Sequence, residues 1–172
     1  MVKTNINLFA EGEVVYTDGG VLAEFAWVLV VLPFIAALII TFAGKSLPLK
    51  GAEIALGTIG IIFIYSLALM YLHVTEGVAN EFFINVGNIG QFDIEFGWVV
   101  DGLSIMMYFV VGLVALLVFI YATNYMEGEI RYTFFFTSLT LFAGSMLVLV
   151  SSPTLIQILI GWELVGVCSY LL

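Results

Sequence analysis

Five long runs of apolar residues divide the chain: Phe25–Ala43, Ile54–Leu72, Leu103–Ala122, Tyr132–Val150 and Thr154–Leu172. Each holds 19 or 20 residues, enough to cross a bilayer as a helix. Alternation of apolar and polar positions, the mark of a membrane-spanning strand, is absent from them. Helices also keep every backbone N–H and C=O paired within the segment, which lipid requires. The pattern therefore predicts an all-α polytopic membrane protein with five transmembrane helices, occupying residues 25–172. Residues 1–24 are polar by comparison and predict an extramembrane amino-terminal arm, partly disordered or laid on the membrane surface.

The connections are short except for the outer loop, residues 73–102. There Phe82, Ile84 and Val86 alternate with Glu81, Phe83 and Asn85. Phe92, Ile94, Phe96 and Trp98 alternate with Asp93, Glu95 and Gly97. With Gly87-Asn88-Ile89-Gly90 between them, these segments predict a β-hairpin with a four-residue turn on the outer surface. An irregular amphipathic segment in the headgroup layer is the alternative. Asp101 ahead of Gly102-Leu103-Ser104 is placed to cap the third span, or to stand as an acid at a channel mouth. Ser152 and Pro153 predict a cap and a first-position proline for the fifth span. Pro33 predicts a kink in the first span. Gly57 and Gly60, and Gly144 with Ser145, predict close helix contacts.

Composition sharpens this picture. Of 172 residues, 63% are hydrophobic, and the mean hydropathy is +1.19, beyond the range of soluble domains. Four basic residues against thirteen acids, a net charge of −9, leave no surface for nucleic acid. The single Cys168 forms no internal disulfide, and no cysteine cluster or Gly-rich fingerprint marks a metal or nucleotide site. His73, at the end of the second run, reads as an interfacial histidine or as a ligand or proton relay. Lys45, Lys50 and Arg131 fall in connections on one side of the membrane. The positive-inside rule makes that side cytoplasmic and puts the amino terminus outside. No cleavable leader is evident ahead of the first run.

Of the thirteen acids only Glu163 lies within an apolar run, and none of the four basic residues does. Counted along a helix from Thr154 it sits about 13 Å deep, near the middle of a core about 30 Å thick. A charge there costs about 2.5–3.5 kcal/mol on insertion scales, so intramembrane acids mark ion or proton paths. The plainer reading is a structural carboxyl, protonated or hydrogen-bonded to another helix. Leu159, Ile160, Gly166, Val167 and Tyr170 share its face. Gly166 leaves room for a neighbouring helix or a water file, and Tyr170 offers a hydroxyl about two turns away. No cation within the runs can pair with Glu163.

Gly161-Trp162-Glu163-Leu164-Val165-Gly166-Val167-Cys168-Ser169-Tyr170-Leu171-Leu172 resembles the fifth transmembrane helix of the large antiporter-like subunit, the L subunit, of proton-pumping NADH:quinone oxidoreductase (respiratory complex I). Val100-Asp101-Gly102-Leu103-Ser104 is similar to the start of that subunit's third helix. The likeness is good over Phe96–Leu172, while residues 1–95 match in span count and outer loop. It implies that Glu163 is the fifth-helix glutamate of the amino-terminal half-channel, which in the family pairs with a lysine on a broken seventh helix. It also implies proton translocation, assigned to Glu163 and secondarily to Tyr170 and Asp101. Other membrane subunits of complex I and the remaining helices of a longer subunit would be the partners, besides the lipid bilayer. Flavin, iron–sulfur clusters and quinone would be held by partner subunits, with no cofactor or metal in this chain. The membrane would be the inner or plasma membrane of a prokaryote, or another energy-transducing membrane. Thr154–Leu172 ends without a polar flank, which suits a part of a longer protein. A cation/proton antiporter subunit of Mrp type, without redox chemistry, and a small non-catalytic scaffold are the alternatives.

Overall fold

A computed structural model describes residues 21–89 and 92–172. Most of the amino-terminal arm lies outside them; its last four residues form a helical turn, α1 (Val21–Glu24). Then come α2 (Trp27–Ala43), a 3₁₀ turn over Gly44–Ser46, and α3 (Ala52–Glu76). Two strands follow, β1 (Asn80–Ile89) and β2 (Phe92–Val100), and then α4 (Gly102–Tyr125), α5 (Tyr132–Ser151) and α6 (Leu155–Leu171). All five apolar runs are helical. Among the described residues four stretches, Trp27–Ser46, α3, α4 and α5, are long and apolar enough to cross a membrane. The fifth run forms an apolar helix of 17 residues, about 25 Å long at 1.5 Å per residue, at the short end of the spanning range.

α3 lies mainly on α4, α2 on α5, and α5 on α6, so α5 holds the bundle together. Its buried face carries Phe136, Leu139, Ala143 and Leu147, with buried Ser138, Thr140 and Ser145 among them. Thr140 and Ser145 donate to the carbonyls of Phe136 and Leu141, four residues back, which satisfies hydroxyls that lipid-like packing would otherwise strand. The close approaches depend on glycine. A Cβ on Gly144 would meet Pro33 Cβ at 3.0 Å, and one on Gly112 would meet Phe63 Cα at 3.3 Å. Gly57 and Gly60, expected at contacts, have open space around them instead. The contact between α3 and α4 is made at Gly112, on the partner helix. α2 continues as helix through the buried Pro33.

The hairpin is present, with tighter ends than expected. β1 and β2 pair antiparallel from Asn80↔Val100 to Ile89↔Phe92, with an irregularity between Asn85 and Gly87. Gly87, Asn88 and Ile89 therefore belong to the strand, because the extra residue at that irregularity shifts the register and carries pairing further out. Residues 90 and 91, between the strands, lie outside the described residues. Phe82 stacks on Trp98 at 4.5 Å between ring centroids. At the hairpin's base, His73 Nδ1 lies 2.8 Å from the carbonyl of Val78. A carbonyl only accepts, so Nδ1 carries the proton. A Cβ on Gly102 would come within 2.9 Å of His73 Nε2, so the ring wedges between the end of α3 and the start of α4. His73 therefore has a structural post at the rim of the bundle.

Two helix starts show the chemistry of capping. Asp101 accepts from the Ser104 backbone N–H at 2.7 Å, as expected of a cap on α4. α6 begins later than expected. Ser152 closes α5, and its hydroxyl donates to Val148 O. Thr154 caps α6, its Oγ1 accepting from Gln157 N at 3.4 Å, and Pro153 lies before the helix.

Candidate functional site

α6 packs on α5 through one narrow stripe. Gln157, Gly161 and Cys168 are its buried residues, and at 3.6 residues per turn they lie along one side. Gly161 sets the approach: a Cβ there would sit 3.0 Å from both Cα and N of Leu149. Cys168 Sγ lies 3.7 Å from Ser145 Oγ. Because the serine's proton goes to Leu141 O at 2.8 Å, the thiol is the donor of the pair.

Gln157 was not anticipated as a functional residue. Its side-chain oxygen accepts from Gly97 N–H at 3.0 Å, and its amide nitrogen donates to Gly97 O at 2.8 Å. Only this orientation of the amide satisfies both groups. The signal was visible, since an amide in an apolar run must find partners, but nothing in the sequence says that the partner is a strand 60 residues earlier. Gly97 is suited to the contact because its own environment leaves no room for a side chain: a Cβ there would collide with the backbone of Phe82. Gln157→Leu removes both hydrogen bonds and leaves the Gly97 N–H and C=O buried without partners. We expect a loss of about 2–4 kcal/mol, read as a lowered unfolding temperature of the detergent-solubilised protein.

Glu163 is on the far side of α6 from this stripe. From Gly161, two residues bring it about 200° around the axis, and it is exposed. The neighbours expected on its face are exposed too: Leu159, Ile160, Val167 and Tyr170, with open space around Gly166. No described residue hydrogen-bonds to Glu163 or pairs with it. Among the described residues none bonds to Glu163 from α5, because the glycine that lets α6 approach α5 lies on the other side of the helix. Tyr170 is 89% exposed on the carboxylate's own side, displaced along the axis by about 10 Å. Asp101 stands apart from both, at the hairpin end of α4 with its carboxylate engaged in the cap. Beside it on β1 lies Glu81, whose carboxyl is raised above its usual value by desolvation, with the negative charge of Asp101 adding to the effect. The structure therefore brings Asp101 to Glu81 and does not bring it to Glu163. Among the described residues no group of His, Cys, Asp and Glu side chains converges as a metal site.

The class is thus a polytopic helical membrane protein with one carboxylate inside its apolar runs, displayed on an open face. Comparison with known proteins narrows it. Residues 87–136 match the family described as NADH-Ubiquinone oxidoreductase (complex I), chain 5 N-terminus. The chain is 38% identical over 158 residues to NAD(P)H-quinone oxidoreductase chain 5 of Synechocystis sp., an alignment covering 88% of this chain and 23% of that protein. It is 35% identical over 156 residues to subunit 5 of the organellar chromatophore of Paulinella chromatophora, covering 87% and 23%. With the chloroplastic subunit 5 of Chlorokybus atmophyticus it is 37% identical over 156 residues, covering 87% and 24%. The chain spans about a quarter of the length of these relatives. It is similar to the amino-terminal region of chain 5, the antiporter-like subunit of complex I. The family match contains the Asp101 motif and ends before Glu163. The alignments cover so much of the chain that they must include most of the residues before Phe96, so the likeness reaches further toward the amino terminus than the motifs alone.

Proposed function

We propose that this chain forms the amino-terminal part of a proton-translocating antiporter-like subunit and that Glu163 is a proton-carrying carboxyl of its path. The observation that carries the reading is the placing of Glu163: deep in α6, without a partner among the described residues, on the side turned from α5. Lipid against that face would leave a carboxylate in hydrocarbon at a cost of several kcal/mol. Protein, a cation or water must therefore cover it in the working assembly. The family likeness supplies such a cover in later helices, one of which bears a lysine. Tyr170, on the same side, places a hydroxyl toward the inner end of α6. Asp101, already a helix cap, has the weaker claim of an acid at the outer mouth.

Electron transfer from NAD(P)H to quinone would take place in partner subunits that hold flavin and iron–sulfur clusters. This chain would contribute only to the proton path, in an energy-transducing membrane. The rival reading, a cation/proton antiporter without redox chemistry, differs in its company. Affinity purification of the tagged full subunit from native membranes is expected to bring down flavin- and iron–sulfur-containing subunits. Recovery of small antiporter subunits alone would favour the rival.

The side on which Lys45, Lys50 and Arg131 lie is taken as cytoplasmic, with the hairpin and the amino terminus outside. A cysteine replacing Glu81 on β1 should react with a membrane-impermeant maleimide added from outside. Reaction only from the cytoplasmic side would invert the topology.

A further inference from the structure

Lys45, Lys50 and Arg131, three of the four basic residues in a chain of net charge −9, line one cavity of about 450 Å³. It lies where α2 ends, where the turn into α3 passes, and where α5 begins. The rest of its lining is Ile130 and the first turn of α5, Tyr132, Thr133 and Phe134. Thr133 Oγ1 donates to Lys50 O at 3.0 Å and fastens the turn to the helix start. Lys50 itself is held at φ 51°, a left-handed conformation that fixes where its side chain leaves the turn.

Two further features make this a site for an anion. No side chain caps the amino terminus of α5, so the positive end of a 20-residue helix opens on the cavity. No carboxylate lines it, and none of the three cations has an ion-pair partner among the described residues. Glu53, near by in the first turn of α3, already accepts from Leu49 N at 3.0 Å. Glu53 and Glu127 both act on Tyr132 in the cavity lining, so these two carboxylates oppose the field of the three cations.

We propose that this cavity binds the phosphate headgroup of an anionic phospholipid. The cations and the α5 N–H groups would receive the phosphate, while Ile130, fully exposed, and Phe134, about half exposed, offer apolar surface to its acyl chains. A free inorganic anion has no use for those two side chains. The cavity also lies at the ends of membrane-length helices, the depth at which headgroups are found. Elsewhere the acidic chain repels anions, so the lipid would settle here.

The test uses the complete subunit in its purified complex, in a neutral detergent. Retention of phosphatidylglycerol and of phosphatidylcholine with identical acyl chains is measured by native mass spectrometry or by lipid extraction. A basic residue near the headgroups is worth about a fivefold preference for anionic lipid. Wild type should therefore retain phosphatidylglycerol about tenfold or more over phosphatidylcholine. Lys45→Gln, Lys50→Gln and Arg131→Gln together should abolish that preference. Lys45→Arg with Lys50→Arg, which keeps the charge, should preserve it. Should the triple variant fail to fold, raising the salt should strip phosphatidylglycerol selectively from the wild type. Equal retention of the two lipids, full retention by the folded triple variant, or indifference to salt would overturn the proposal. Displacement by inorganic phosphate at the lipid's own concentration would show a site for free anions and overturn it as well.

Discussion

Glu163→Gln should leave the complex assembled and reduce proton uptake by about tenfold or more, since a positioned acid or base contributes factors of 10²–10⁴ to proton transfer. The amide keeps the volume and hydrogen-bonding reach of the carboxyl and removes its ability to ionise. Glu163 is exposed and has no hydrogen bond or ion pair among the described residues for the change to break, so folding of this part should be indifferent to it. Glu163→Asp retracts the carboxyl by one methylene and should keep partial activity, because one bridging water can span the gap. The measurement is proton uptake into inverted membrane vesicles driven by the complex's own electron donor, normalised to assembled complex. Full pumping by the Gln variant would show Glu163 to be a structural carboxyl and remove it from the path.

Gly161→Leu should have a comparable effect by a different route. A Cβ at Gly161 already falls 3.0 Å from two backbone atoms of Leu149, and backbone cannot swing aside as a side chain does. Three more carbons would force α6 away from α5. That would part Cys168 from Ser145 and strain the two bonds between Gln157 and Gly97. Overpacking of this kind costs about 1–3 kcal/mol or more. Here it acts at a contact between helices that lipid gives little reason to stay together. We expect poor assembly and lowered thermal stability, in contrast to Glu163→Gln. Wild-type assembly and stability in the Leu variant would mean that α6 does not sit on α5 in this way.

The helices were legible because lipid makes one demand that a sequence displays openly: a long stretch without charge. The two faces of each helix were not. In water a buried face is apolar and an exposed face polar. In a membrane Leu117 on an exposed face and Leu147 in the core are the same residue type. Helix contacts are then chosen by small residues, and glycines are ambiguous in that role. Gly161 proved to be a contact, while Gly57 and Gly60 face open space. The hairpin was readable from its alternation. Its outer end was not, since an irregularity between Asn85 and Gly87 moves the register without leaving a mark in the pattern. Glu163 stood out as the one acid in an apolar run, yet which neighbour it faces depends on Gly161, two residues before it. Gln157 carried the same kind of signal as Glu163, polar in an apolar run, and turned out to be fully engaged within the chain.

The bond pair between Gln157 and Gly97 has a mechanical meaning. It rivets the second strand of the hairpin to the first turn of a helix whose next turns lead to Glu163, six residues or about 9 Å further along. A helix is stiff along its axis over that distance. A push or tilt applied to the hairpin would therefore arrive at the carboxylate as a displacement of similar size, so the hairpin is a handle on the helix that carries Glu163.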